Sequence, residues 1–90
     1  MPSEQWITEL DKILSEVREV LIKKNEKYGM ENIRVFGERG VLIRANDKTE
    51  RLIQLVWKNV PEPSDETIDD TWKDLVGYGI IGMMVHRGKW

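Results

Sequence analysis

Glu66, Asp70 and Asp74 recur at steps of four, a spacing that on a helix stacks three carboxylates in one longitudinal row. Like charges at that spacing repel by about a few tenths of a kcal/mol per pair, so the row calls for a cation beside it, either a metal ion or a basic side chain. A solvated acidic face near a helix N-terminus, where the dipole favours negative charge, is the simpler explanation. Arg44, Lys48 and Arg51 fall at steps of four and three and form the complementary basic row, with Asp47 and Glu50 beside it. Interhelical ion pairs from Lys48 or Arg51 to Asp70 or Asp74 would satisfy both rows without any ligand, and residue types alone favour that arrangement slightly over a catalytic site. A third group, Lys23, Lys24, Asn25, Lys27 and Tyr28 before Gly29, concentrates positive charge and hydrogen-bond donors. Part of it complements a helix dipole, but Asn25 is a poor helix former and Tyr28 shares an apolar face.

Three main helices would carry these groups. Ser3 is a good N-cap, and Trp6, Leu10, Ile13, Leu14, Val17 and Leu21 recur at steps of three and four, with Lys24 and Tyr28 on the same face. The pattern predicts a long amphipathic helix ending near Gly29. Residues 30 to 40 are punctuated by Gly29, Gly37 and Gly40, and predict a short helix followed by a loop. A hairpin over Arg34 to Arg44 is the competing expectation, because Ile33, Val35, Val41 and Ile43 alternate there. Val41, Ala45, Lys48, Leu52, Leu55 and Val56 predict a second main helix that ends near Lys58, before Pro61 and Pro63. Ser64 is the expected cap of a third, with Asp65 and Glu66 in its first turn, a face of Ile68, Trp72, Leu75, Gly79, Gly82 and His86, and an end near Arg87. Gly77, Gly79 and Gly82 each cost about 1 kcal/mol in a helix interior, so a close helix–helix contact is expected there. His86 suits the C-terminal end of its helix, and the four tryptophans read as core or interface anchors and not as a base-stacking platform.

The totals bound what such a protein does. A chain of 90 residues with 40% hydrophobic and 33% charged residues is one helical domain, residues 1–90, and one small enough to gain from self-association. With 16 acids, 14 bases and a net charge of −2, it has no broad positive field for nucleic acid or an anionic membrane, so direct nucleic-acid binding is not expected and any phosphate must be bound locally. The absence of cysteine excludes disulfides and thiolate chemistry, and a single histidine argues against an imidazole zinc site. Neither a secretory leader nor a run long enough to span a bilayer is visible, which makes a cytoplasmic location the expectation.

The ordered series Lys24-Asn25 with Tyr28-Gly29, Arg44 with Asp47-Lys48 and Arg51-Leu52, then Asp65-Glu66 with Asp69-Asp70-Thr71, Asp74 and Tyr78 resembles the nucleotide modification associated domain family of the first type, over roughly Val17 to Met84. Members of that family are frequent in phages and mobile elements. Its arrangement is also similar to the all-α nucleoside triphosphate pyrophosphatases of the MazG-like and dimeric dUTPase group, in which acidic pairs on adjacent helices bind magnesium. Here Asp47 with Glu50 would stand for the first pair, and Glu66 with Asp69 or Asp70 with Asp74 for the second. The resemblance implies an all-α protein that handles nucleotides, in the form of a Mg²⁺-dependent pyrophosphohydrolase, and the small size of the domain adds the expectation of a homo-oligomer. Glu66, Asp70 and Asp74 would be metal ligands, and Lys48 and Arg51 would stabilise charge in catalysis. Lys24, Asn25, Tyr28, Arg44 and Tyr78 would bind the nucleotide. The rival expectation is a non-enzymatic helical adaptor whose charged rows are structural ion pairs and whose glycine-bearing helix packs on a second subunit.

Overall fold

Ser3 does cap the first helix: its hydroxyl accepts from the backbone N–H of Trp6, and α1 runs Glu4–Tyr28. It stops at Gly29, whose φ of +74° lies in the region that glycine occupies without steric cost. The computed structural model describes residues 2–90, and these contain helices and no strands. A single turn, α2 (Glu31–Arg34), follows at once, as the glycine punctuation predicts; the hairpin alternative does not form. Gly37, at φ +61°, turns the chain directly into α3 (Gly37–Leu52), so there is no loop and the helix starts four residues ahead of Val41.

Helix α3 continues into a π-helical turn, Ile53–Trp57, closed by the bond from the Lys58 N–H to the Ile53 carbonyl. Asn59, with φ +57°, then breaks the chain into the segment containing Pro61 and Pro63. The last helix, α4 (Ile68–His86), is capped by Thr67 and not by Ser64. The Thr67 hydroxyl accepts from the Asp70 N–H at 3.1 Å while the Asp70 carboxylate accepts from the Thr67 N–H at 3.3 Å and hydroxyl at 2.9 Å. This reciprocal box satisfies two N-terminal groups at once, which a lone Ser64 three residues earlier could not match. Glu62 reaches the next free donor, the Ile68 N–H, at 2.8 Å.

Helix α4 is the central element. Lys73 meets Glu16 and Gly77 meets Leu21, so α1 lies along it in the same sense. Val41 meets Gly82 and Lys48 meets Asp74, so α3 lies along it in the opposite sense. The buried side chains are Val17, Ile33, Val41, Leu52, Leu55 and Ile81, together with Thr71, which is 0% exposed and satisfies its hydroxyl on the Thr67 carbonyl at 2.8 Å. The buried face of α4 carries Thr71, Gly77 and Ile81, about one residue, or 100°, round from the expected Trp72–Leu75–Gly79–Gly82 face. The helical spacing pointed to Trp72; the packing instead uses the missing side chain of Gly77, where a β-carbon would lie 3.2 Å from Leu21 Cδ2.

The three glycines of α4 therefore differ. Gly77 is the close approach, Gly82 stands at ordinary contact distance from Val41, and Gly79 faces open space. Gly77→Val is expected to cost about 1–3 kcal/mol by overpacking Leu21. Gly79→Ala should be neutral or stabilise the isolated fold by up to about 1 kcal/mol through helix propensity. Urea midpoints of the two variants check both signs.

The tryptophans do not form the core. Trp6, Trp57 and Trp72 are each at least half exposed, and only Trp90 is partly buried, its indole donating to the Met30 carbonyl at 3.0 Å. The predicted apolar stripe of α1 is likewise split: Val17 is buried and Leu21 partly so, whereas every residue of the helix from Glu4 to Ser15 is exposed. The reason is registry. Helix α4 begins beside the middle of α1, so the N-terminal half of α1 passes beyond it with nothing to pack on.

Candidate functional site

Because α4 starts at Ile68, Glu66 precedes the helix and the three-carboxylate row is not formed. Each member is held separately. Asp70 is turned back into the Thr67 box. Asp74 receives Lys24 on Oδ1 at 3.0 Å and Lys48 on Oδ2 at 2.8 Å. Glu66 receives Arg51 at 3.0 Å and Lys48 at 3.6 Å. The result is a chain of alternating charge, Lys24–Asp74–Lys48–Glu66–Arg51, that ties α1, α4 and α3 together and extends to the segment before α4.

The centre of that chain is shielded. The Asp74 and Lys48 side chains are 18% and 20% exposed. Burial pushes the Asp74 carboxyl up, but the hydrogen bonds from Lys48 and Lys24 outweigh it and hold the group below the usual carboxylate value. Burial likewise pulls the Lys48 ammonium down, and Asp74, with Glu66 behind it, overrides this and leaves it raised. Both groups are therefore charged at neutral pH. Lys73 is raised as well, by hydrogen bonds to Asp69 and Glu16, in a bridge between α4 and α1.

These carboxylates do not fit Mg²⁺ as arranged. Both Asp74 oxygens and both Glu66 oxygens face cationic nitrogens, Asp70 serves the cap, and Asp69 faces Lys73. Asp47 and Glu50 lie on the exposed side of α3. Among the described residues, no group of three or more carboxylates or histidines stands close enough to hold a metal ion. Lys48 and Arg51 are correspondingly engaged with acids, and the Arg51 Nε is a buried donor without a partner. His86 Nδ1 lies 2.8 Å from Glu38 Oε1 on the surface, a side-chain partner in place of the expected helix carbonyls.

The other predicted group does converge. Lys24, Asn25, Tyr28, Arg44 and Tyr78, drawn from α1, α3 and α4, all line one cleft of about 520 Å³. Its floor is apolar, from Leu21, Ile33, Ile81 and Met84, and its rim adds Asn32 and Trp90. Two cations and no carboxylate line it. Arg44 is aimed there by a bond from its guanidinium to the Asn32 carbonyl at 3.3 Å, and Lys24 stands between the cleft and Asp74. Tyr28 is largely exposed, with the Lys27 ammonium 5.2 Å from its ring centre.

Sequence reasoning missed Asn32 and Trp90. Asn32 sits in the one-turn α2, which has no periodicity to place a side chain. Trp90 is brought to the cleft by packing against the Ile33, Val41 and Ile81 cluster and by its bond to Met30, sixty positions away, and no local pattern encodes those contacts. Compared with models of known protein families, with curated proteins and with solved structures, the chain matches none.

Proposed function

We propose that the protein binds a nucleotide in the cleft between α1, α3 and α4. The observation that carries this reading is the convergence of two cations, two tyrosines, a tryptophan and two amides on an apolar floor with no carboxylate among them. Lys24 and Arg44 would take the phosphate, Arg44 through its planar fork and Lys24 as a point charge. Tyr28, Tyr78 and Trp90 supply aromatic faces for the base, and Asn25 and Asn32 supply donors and acceptors for its edge. The volume lies in the range of small-molecule sites. The family resemblance points the same way, and it also suggests pyrophosphate hydrolysis. Because the carboxylates do not fit Mg²⁺, the reading is confined to binding that needs no metal, with Lys48 and Arg51 positioning Asp74 and Glu66.

Calorimetry with nucleoside mono-, di- and triphosphates, each with and without Mg²⁺, tests this. Binding should survive chelation. Arg44→Ala should weaken it by about ten- to a hundredfold, since a hydrogen bond to a charged group contributes about 1.5–3 kcal/mol. Trp90→Ala should weaken it by about tenfold through lost stacking, within the 1–3 kcal/mol typical of base–aromatic contacts. Absence of heat with every nucleotide would overturn the proposal. Pyrophosphate release that depends on Mg²⁺ would show instead that the carboxylates rearrange and that hydrolysis is the activity.

The second reading, an assembly module, is favoured by a different observation: the large apolar side chains that α1, α3 and α4 leave uncovered.

A further inference from the structure

A folded monomer of 10.6 kDa exposes about 5,500 Å², yet this chain exposes 7095 Å². The excess, about 1,600 Å², is twice the roughly 800 Å² that each partner contributes to an interface of standard size. Its radius of gyration is 14.6 Å, against about 12 Å for a compact chain of this length. Both departures fit the N-terminal half of α1, a projection of about 18 Å with Trp6, Ile7, Leu10, Ile13 and Leu14 exposed along it.

A complementary surface exists on the same molecule. A groove of about 550 Å³ runs between α3 and α4, lined by Leu42, Ala45, Leu75, Gly79, Gly82 and Met83. Its base at Gly79 has no side chain and nothing within 4 Å of where a β-carbon would be, so a large side chain or a helix has room to enter. That space gives the otherwise costly mid-helix glycine a reason. Charge agrees with shape. The projection carries Glu4, Glu9 and Asp11 against Lys12 alone, whereas Arg39 and Arg87 line the groove with a single acid, Glu38, which faces His86; neither arginine forms an ion pair among the described residues. Antiparallel pairing of two projections centred on Leu10 would instead bring Glu9 of each copy against Asp11 of the other.

We propose that two copies of this chain associate by reciprocal exchange, each laying the apolar stripe of its α1 projection into the α3–α4 groove of the other, with the acidic projection meeting Arg39 and Arg87. Two identical contacts related by a two-fold axis close the assembly as a dimer. The nucleotide cleft shares only Tyr78 with the groove, so the two proposals stand or fall separately.

Light scattering on the eluted protein is the test. The unaltered chain should have the mass of a dimer, and added salt should weaken its association. Leu10→Glu in the stripe and Met83→Glu in the groove, both at exposed positions, should each give monomers with an unchanged far-UV helix signal. Mixed in equal amounts, the two variants should recover a heterodimer, because the intact stripe of one meets the intact groove of the other. If either substitution disturbs the helix signal, Trp6→Ser and Leu42→Ser, which are more exposed, replace them in the same mixing experiment. A monomeric unaltered chain, variants that remain dimers, or monomeric variants that fail to associate on mixing would each overturn the proposal, the last by showing that like surfaces pair.

Discussion

Ile81→Ala is expected to lower stability by about 2–4 kcal/mol, within the usual range for emptying a buried aliphatic site. Ile81 is buried where the α3 and α2 residues Val41 and Ile33 meet α4, with Leu21 of α1 packed against the same cluster. All four helices therefore lose contacts at once, and none can relax inward without separating from another. A domain of this length has a total stability of roughly 5–13 kcal/mol, so one substitution removes a large share of it. The same side chain floors the cleft, so ligand binding should weaken along with the fold. Urea unfolding followed by far-UV circular dichroism measures the first effect. A loss under about 1 kcal/mol would mean that the interior collapses more readily than this packing allows.

Asp74→Asn is expected to cost about 2 kcal/mol, the scale of hydrogen bonds to charged groups in a shielded site. It leaves Lys24 and Lys48, which now share one carboxylate, facing each other across a neutral amide. A metal ligand crowded by other carboxylates would respond in the opposite sense and gain stability when neutralised in metal-free protein. The sign of the change therefore decides between ion pair and metal site. Its pH dependence follows from linkage. The folded pKa of Asp74 lies below the ordinary value of 3.8, so its stabilisation is fully present above that value and is lost as the pH falls through the folded pKa. For Lys48, raised above 10.5, the contribution is present below that value and lost as the pH rises through the raised one. Across the neutral range the ion-pair contribution should be flat. Asp74→Asn should remove both the plateau height and the acid limb that this carboxyl contributes, and a variant pairing it with Lys48→Met should recover part of the loss because one unpaired charge goes with it.

The amino-acid sequence by itself determined the all-α class, the extent of α1 between Ser3 and Gly29, and the position of the break at Asn59–Pro63, because caps, glycines, prolines and 3.6-residue periodicity act within a few residues. The resemblance carried by its motifs also singled out Lys24, Asn25, Tyr28, Arg44 and Tyr78, which share one cleft, although nothing in their local spacing requires that convergence. The fate of the charged rows was decided in three dimensions. Thr67 outcompeted Ser64 as a cap by closing a reciprocal box with Asp70, which moved the start of α4 past Glu66 and dissolved the carboxylate row. Gly77 admitted Leu21 and turned the buried face of α4 away from Trp72, and that rotation brought Asp74 between Lys24 and Lys48. Cap competition and helix rotation are each settled by a few kcal/mol of contacts between distant residues. The acidic residues could therefore be seen in the sequence as a cluster, but only the tertiary structure made them partners of lysine and arginine.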